Sequence, residues 1–176
     1  MFGDLILTSI GYSIKSMKFS YNNTKYTIER SFIMNEDTIN LLKECNAGCK
    51  SATNSMEQVK PYIENENLKS IIDNYNDKHI RIGDECHQML NKYHEEEKDP
   101  QAIAKAFSWI STEMKLMIKG NSHEVADIMI DGCNMGIKSV SKYINEYKNA
   151  SNESINLAKS IVKVEQEFMN ELLAYL

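Results

Sequence analysis

The sequence predicts an all-α protein built as a four-helix bundle, and two observations support that prediction. Apolar residues recur every three or four positions along most of the 176-residue chain, which contains only two prolines and seven glycines. The chain also repeats itself, because ECNAGCKS at 44–51 returns as GCNMGIKS at 132–139, and KSII at 69–72 returns as KSIV at 159–162. A duplicated helix pair with a long connection is typical of two hairpins that share one core.

The first 33 residues lack this helical periodicity, and the repeat begins only after them. We expect residues 1–33 to be an N-terminal extension and 34–176 to be the bundle domain. Two interpretations of the extension stay open. It is a flexible or strand-forming arm, or it is not natively translated. The second interpretation arises because Glu29-Arg30-Ser31 can be encoded as GAA AGG AGT, which contains a bacterial ribosome-binding sequence a short distance before the codon of Met34.

The first predicted hairpin extends from Asn35 to Tyr93. Its first helix, from Asn35 to Ile63, carries one inward stripe at alternating spacings of four and three. A polar turn at 64–67 leads to the second helix, which ends at the charged run 94–99 before Pro100. The inward positions are Thr38, Leu42, Cys45, Cys49, Ala52, Met56, Val59 and Ile63, then Leu68, Ile71, Ile72, Tyr75, His79, Ile82, Cys86, Met89, Leu90 and Tyr93.

A crossover helix and a second hairpin complete the predicted bundle. At about 1.5 Å per residue, residues 101–119 are long enough to cross the bundle, so the second and third bundle helices should run parallel. The segment Gly120-Asn121-Ser122 ends the crossover and caps the third helix, and the pattern from Ser151 to Ser154 caps the fourth. The inward positions are Ala126, Ile130, Cys133, Ile137, Val140, Ile144 and Tyr147, then Ile155, Ala158, Ile161, Val162, Glu165, Phe168, Met169, Leu172 and Leu173.

Composition excludes several functional classes. The net charge of -5 and the pI of about 5.4 argue against a nucleic-acid partner, since phosphate binding needs clustered Lys and Arg. The longest apolar run, 5–10, is too short to span a bilayer. The four cysteines lie at helix-face spacings, which favours free buried thiols in a reducing compartment. We therefore expect a soluble, cytoplasmic protein.

The sequence also disfavours an enzyme. It contains no nucleophile with an adjacent base, no glycine-rich phosphate loop and no paired-carboxylate signature. Enzyme activity is therefore not predicted, although the sequence alone does not decide the question.

A family resemblance rests on three features of the bundle segment. They are Trp109 in the crossover, the segment KGNSHE at 119–124, and the small residues around Gly132 and Gly136. With these features the stretch from Asn35 to Leu176 resembles the ferritin-like superfamily, and within it a branch of uncharacterised bacterial domains of unknown function. The resemblance implies a bacterial, ferritin-like four-helix bundle with a long crossover, and it raises the question of a di-iron centre.

The ligand pattern of a di-iron centre is incomplete in this chain. Such bundles use a carboxylate from each of two helices and Glu-x-x-His from each of the other two, because positions i and i+3 share a face. The residue three before His79 is Asn76, and the equivalent stretch of the last helix reads Gln166-x-x-Met169. Amides and thioethers are poor iron ligands. The sequence therefore predicts a degenerate di-iron site and no cofactor.

A non-standard metal site is the alternative interpretation, with iron, manganese or zinc as the cofactor. Its candidate ligands are His79, Asp84, His87, Glu44 and Glu113. Asp84-x-x-His87 is the only acid-x-x-His in the sequence. The competing interpretation makes His79 a hydrogen-bonded core histidine and leaves Asp84 and His87 solvated or paired within their helix.

Two repeated features have structural alternatives as well. Cys45, Cys49 and Cys133, the repeat equivalent of Cys45, would suit Cu(I) or Zn only if three thiols share one layer, and close helix packing explains them equally well. Asn46 and Asn134 are repeat partners, which predicts a buried polar layer that fixes the register of the helices.

Together these observations predict a structural or protein-interaction module with a degenerate di-iron site. We expect it to form homo-oligomers or to bind a protein partner. The alternative function is a metal-binding or metal-storage protein that uses the non-standard ligand set.

Overall fold

The computed structural model describes residues 35–98 and 118–176, and within these two ranges the chain is helical. Its long helices are α1 (Glu36–Val59), α2 (Glu66–Lys92), α3 (Ser122–Glu146) and α4 (Asn152–Leu172). Short 3₁₀ segments follow α1 at Lys60–Tyr62 and α4 at Leu173–Tyr175. The predicted all-α class and the four helices are confirmed. None of the described helices is long and apolar enough to cross a membrane.

Some of the sequence predictions concern parts of the chain outside the described residues. The chain divides between Met34 and Asn35, and the second unit, Asn35–Leu176, contains the bundle. The expectations for residues 1–33 lie outside the described ranges, as do those for the crossover segment 101–117 with Trp109 and Glu113.

Each helix begins where a polar side chain caps it. The caps are Asn35, Asn65, Asn121 and Ser151. At α2, Oδ1 of Asn65 accepts hydrogen bonds from the backbone N–H groups of Asn67 and Leu68, both at 3.0 Å. These bonds satisfy two of the donors that the first helical turn leaves free. The predicted caps of the third and fourth helices, Asn121 and Ser151, are confirmed.

The first hairpin ends its helices at residues that interrupt α-helical hydrogen bonding. α1 ends at Val59 rather than at the predicted Ile63, because Pro61 has no N–H to donate and the chain continues as a 3₁₀ turn. α2 ends at Lys92, and His94 adopts a φ of 58°. This left-handed conformation turns the chain away from the helix axis.

The two hairpins pack so that α1 lies beside α3 and α2 lies beside α4. α1 and α3 run antiparallel: Glu44, early in α1, contacts Tyr143, late in α3. At the opposite end of the bundle, the Gly120 N–H donates to the Tyr62 carbonyl at 3.1 Å. Since α2 is antiparallel to α1, α2 and α3 run parallel, as the crossover predicted.

The core consists of two apolar clusters that are separated at mid-height. The first cluster contains Met56, Val59, Ile63, Leu68, Ile72, Tyr75, Ile118, Val125, Ala126, Ile128, Met129, Cys133, Phe168 and Leu172. The second contains Leu41, Leu42, Cys45, Cys49, Ile82, Cys86, Met89, Leu90, Val140, Ala150, Ala158 and Ile161. His79 and Glu165 belong to neither cluster and lie between them along α2 and α4.

The predicted inward stripe of α3 is only partly buried. Ala126, Cys133 and Val140 are buried, whereas Ile130, Ile137, Ile144 and Tyr147 are half-buried. The repeat also suggested that Asn46 and Asn134 are both buried, and this is wrong for Asn134. Asn46 is buried, and its amide donates to the Gly83 carbonyl at 3.1 Å. Because Gly83 has no side chain, the Asn46 amide can approach this carbonyl on α2. Asn134 is exposed.

The cap of α2 gives the first testable prediction. Replacing Asn65 with alanine should lower the free energy of unfolding by about 0.5–2 kcal/mol, because two backbone donors lose their acceptor. Urea unfolding followed by circular dichroism measures the change. Asn74→Ala is the matched control, since Asn74 is exposed in the interior of α2 and alanine is the better helix former there. Equal effects of the two substitutions would contradict the role of Asn65.

Candidate functional site

A histidine–glutamate pair lies buried in the middle of the bundle. His79 on α2 is 0% exposed and Glu165 on α4 is 6% exposed. His79 Nε2 lies 3.1 Å from Glu165 Oε1, and His79 Nδ1 lies 2.8 Å from the carbonyl oxygen of Tyr75. Both ring nitrogens of His79 therefore already have hydrogen-bond partners.

The geometry fixes one proton of this pair, and the surrounding charges favour the position of the second. A carbonyl oxygen can only accept a hydrogen bond, so Nδ1 of His79 carries a hydrogen. Nε2 then faces a carboxylate oxygen, and the contact needs a second proton to be attractive. Burial alone would lower the pKa of His79, and Lys78 acts in the same direction. The hydrogen bonds that the ring donates to Glu165 and to the Tyr75 carbonyl, with the charge of Glu165, outweigh both and raise this pKa. This favours the imidazolium form.

Two thiols complete the surroundings of Glu165. The Cys133 thiol on α3 donates a hydrogen bond to its carboxylate, and Cys49 on α1 lies close enough to interact with it electrostatically. His79, Glu165, Cys49 and Cys133 are called the polar layer below. Each of the four helices contributes one member of this layer.

The surroundings of Cys45, Cys49 and Cys133 favour the protonated thiol. Burial, and then the nearby groups that include Glu165, raise the pKa of Cys49 and Cys133. A hydrogen bond with Cys86, followed by burial, raises the pKa of Cys45. A protonated thiol is a poor nucleophile and a poor metal ligand. Cys45, Cys49, Cys86 and Cys133 are all free and buried, as the sequence predicted.

The close packing around Glu165 depends on a glycine. A Cβ atom added to Gly136 on α3 would lie 2.7 Å from Glu165 Oε1, a distance that real Cβ atoms do not reach. Glu165 cannot easily move away, because its carboxylate is bound to His79 and Cys133. Gly136 therefore leaves the room that the buried carboxylate occupies.

Among the described residues, the structure does not gather the predicted ligands His79, Asp84, His87 and Glu44 into one metal site. His79 is the hydrogen-bonded core histidine that one interpretation predicted. Asp84 is exposed, since five positions along an α-helix lead to a different face from that of His79. His87 is exposed as well. Glu113 lies outside the described residues, so the complete ligand set stays a prediction.

The other candidate ligands have partners of their own. The His87 ring nitrogens contact Glu97 at 2.7 Å and the Asn91 amide at 2.8 Å. Glu44 forms an ion pair with Lys98 at 2.5 Å. Across 35–98 and 118–176, no group of three or more His, Cys, Asp and Glu side chains is arranged to hold a metal ion.

The thiol alternative does not form one layer of three repeat-related cysteines. Cys45 and Cys49 lie in the second core cluster with Cys86, whereas Cys133 lies in the first. The reason is topological. Because α1 and α3 run antiparallel, equivalent positions of the repeat fall toward opposite ends of the bundle.

A cavity of about 340 Å³ lies beside the polar layer, between α1 and α3. Glu44, Lys98 and Tyr143 line its polar end, and small residues of both helices line its middle together with Glu165. Its other end is apolar and is lined by Met56, Met129 and Phe168. The volume falls near the lower limit of small-molecule sites, which combine apolar walls with a few polar groups in this way.

Sequence reasoning missed the role of Glu165. It placed Glu165 on the inward stripe of the last helix but not among the site residues. The position of Glu165 could have revealed this role, because a glutamate between Ile161 and Phe168 on a core-facing stripe needs a buried partner. The identity of that partner depends on how α4 meets α2, which periodicity does not give.

Comparison of the chain with known protein families, curated proteins and solved structures finds no match. A functional assignment therefore depends on the geometry of the described residues.

A matched pair of glycine substitutions tests the space that Gly136 leaves for Glu165. Gly136→Ala should lower the free energy of unfolding by about 1–3 kcal/mol, as overpacking of a core does. Gly48→Ala on α1 is the control, because its Cβ would meet nothing within 4 Å. It should raise stability by about 0.4–1 kcal/mol, since alanine restricts the unfolded chain. Chemical denaturation measures both values, and a neutral Gly136→Ala would contradict the packing described for Glu165.

The proton in the polar layer predicts a pH dependence. The pKa of His79 is raised in the folded chain, so the folded state binds more protons than the unfolded state above the ordinary histidine pKa. The stabilisation is complete below that ordinary value of about 6.5 and is lost as pH rises through the folded value. Glu165→Gln should remove this extra stabilisation at low pH, because a neutral amide can donate to Nε2 of neutral His79 and accept from Cys133, and burial then opposes protonation of the ring.

Urea unfolding of both proteins at several pH values from mildly acidic to mildly alkaline tests this prediction. The wild type should lose stability with rising pH relative to Glu165→Gln. Glu97→Gln, which removes the carboxylate beside the exposed His87, is the matched control and should keep the wild-type slope. Parallel curves for wild type and Glu165→Gln would show that the buried contact holds no titrating proton.

Proposed function

We propose that this chain is a helical-bundle protein that acts as a structural or protein-interaction module. The observation that carries the proposal is the closed hydrogen bonding of the polar layer. Both nitrogens of His79 are engaged, and the carboxylate of Glu165 is held by His79 and Cys133. A metal ion needs an unprotonated ring nitrogen, and His79 offers none unless it gives up one of its two hydrogen bonds.

The bundle corresponds in this proposal to a ferritin-like arrangement whose di-iron site is degenerate. The packing of α1 beside α3 and α2 beside α4 supports it, as does the parallel course of α2 and α3. The polar layer also lies at mid-height, where di-iron bundles project their ligands inward. Within the described residues, His79 is the one buried imidazole and Glu165 the one buried carboxylate, so two ligands stand where such a centre needs six.

In this proposal the polar layer has a structural role. It brings together side chains from all four helices near mid-height, with a buried imidazole, a carboxylate and two thiols in place of a metal ion. Removing one partner of a buried charged pair leaves the other uncompensated, which typically destabilises a protein by about 3–5 kcal/mol. Such a layer fixes how the two hairpins meet.

Metal content tests the proposed function directly. Protein purified without a metal-affinity tag should contain iron, manganese and zinc at far below one ion per chain, as measured by plasma mass spectrometry. His79→Ala should lower the free energy of unfolding by about 3–5 kcal/mol without changing the metal content, because an unpaired Glu165 stays buried.

Two outcomes would overturn the proposal. Stoichiometric metal that is lost in His79→Ala would mean that the polar layer opens to bind an ion. Stoichiometric metal that survives in His79→Ala but is lost in His87→Ala would favour the alternative metal-binding function, at the exposed part of α2. His87→Ala otherwise serves as the matched control, since His87 is exposed and should contribute little to stability.

A further inference from the structure

An exposed stripe of α3 carries charges in a self-complementary order. The stripe consists of Asp127, Asp131, Asn134, Met135, Lys138 and Lys142. Their spacings of three and four place them along one side of the helix, and all six are exposed. Met135 is 60% exposed, the highest value among the exposed large apolar side chains of the described residues. We call this set the α3 stripe, and its midpoint lies between positions 134 and 135.

The four charges of the α3 stripe have no ion-pair partner in the described part of the chain. The ion pairs found there join other residues, and Lys142 contacts only the ring of Tyr143, at 5.9 Å. Some other surface charges are matched within the chain, as in Lys60 with Asp73 at 2.7 Å. The unmatched charges of the stripe are therefore available to a partner.

Two-fold symmetry would match these charges. The pair Asp131 and Lys138 and the pair Asp127 and Lys142 are both centred on the midpoint of the stripe. When a second α3 lies antiparallel across that midpoint, Asp131 of each copy faces Lys138 of the other, and Asp127 faces Lys142. One two-fold axis thus produces four ion pairs, as expected for an isologous interface. A parallel alignment in the same register would place like charges opposite each other.

An apolar contact lies at the centre of the same arrangement. Met135 of each copy falls next to the axis, where the flexible thioether side chains can pack against each other. Exposed ion pairs are individually weak, so the buried methionines have to provide much of the attraction. The charges then select the antiparallel register and oppose others.

We propose that the α3 stripe binds a second copy of this chain in an antiparallel, two-fold symmetric dimer. The inference rests on the interaction role proposed above and names its partner.

Charge-reversed variants test the proposed dimer. Asp131→Lys alone and Lys138→Asp alone each bring like charges together in a homodimer, so each should dimerise at least about tenfold more weakly than wild type. An equimolar mixture of the two variants should form a heterodimer, because every lysine of one then faces an aspartate of the other. Native mass spectrometry distinguishes this heterodimer by mass, and sedimentation velocity gives the affinities. Added salt should weaken the wild-type dimer.

Met135→Glu and Ile80→Glu form the matched control pair. Both replace an exposed apolar residue with glutamate, but Ile80 lies on α2 outside the stripe and is 44% exposed. Met135→Glu should abolish dimerisation, and Ile80→Glu should leave it unchanged. Equal thermal midpoints for all variants would show that the bundle itself is intact.

The inference is wrong if the wild type is monomeric at low salt at the highest attainable concentration. It is also wrong if a dimer forms but responds to Ile80→Glu rather than to the α3 variants, since another surface would then be used. A monomer without metal would overturn the dimer while leaving the metal-free polar layer intact. A dimer that contains stoichiometric metal at His79 would support the dimer and overturn the metal-free polar layer.

Discussion

The contact between His79 and Glu165 places an ion pair between two apolar clusters, and the packing of the whole bundle has to accommodate it. Moving two charges out of water is unfavourable unless their remaining hydrogen-bonding groups are satisfied. The Tyr75 carbonyl accepts from the second ring nitrogen, and the Cys133 thiol donates to the carboxylate. Gly136 leaves the space that the carboxylate fills. Together with the charged pair, these groups come from three helices, so a change in how α2, α3 or α4 packs would expose or separate the pair.

In the first hairpin, a second buried polar contact joins two helices. Asn46 on α1 is 1% exposed and reaches the backbone carbonyl of Gly83 on α2. A Cβ on Gly83 would lie 3.3 Å from the Cβ of Cys49, so the two helices approach closely at this height. The cysteines of α1 therefore act as packing residues, because their small side chains allow this close approach. The hydrogen bond then holds α1 and α2 in one register, because a shift along the axis would bury the amide without a partner.

Much of this fold was predictable because it follows from local rules. Helical periodicity gave the four helices, and short polar side chains before them gave the caps at Asn121 and Ser151. The antiparallel course of α1 and α3 followed from the length of the crossover. Local rules failed where the outcome depends on which helix faces which. The repeat suggested equal burial of Asn46 and Asn134, but only Asn46 faces a helix that presents a bare backbone carbonyl. Glu165 was recognised as inward-facing, yet its pairing with His79 needs the packing of α4 on α2.

The chemistry of the candidate site was also only partly predictable from the sequence. A sequence shows which residues could bind a metal, but not whether their lone pairs are already used. His79 has the side chain of a ligand, but both of its ring nitrogens are already engaged, one by Glu165 and one by the Tyr75 carbonyl. Because the ring nitrogens of His79 are already used, the proposed recognition of a partner is expected at the surface. There the decisive property is the order of exposed charges along a helix, which the core does not constrain. On α3 that order places acids before bases about a common centre, and a second copy of the same helix is the simplest surface that complements it.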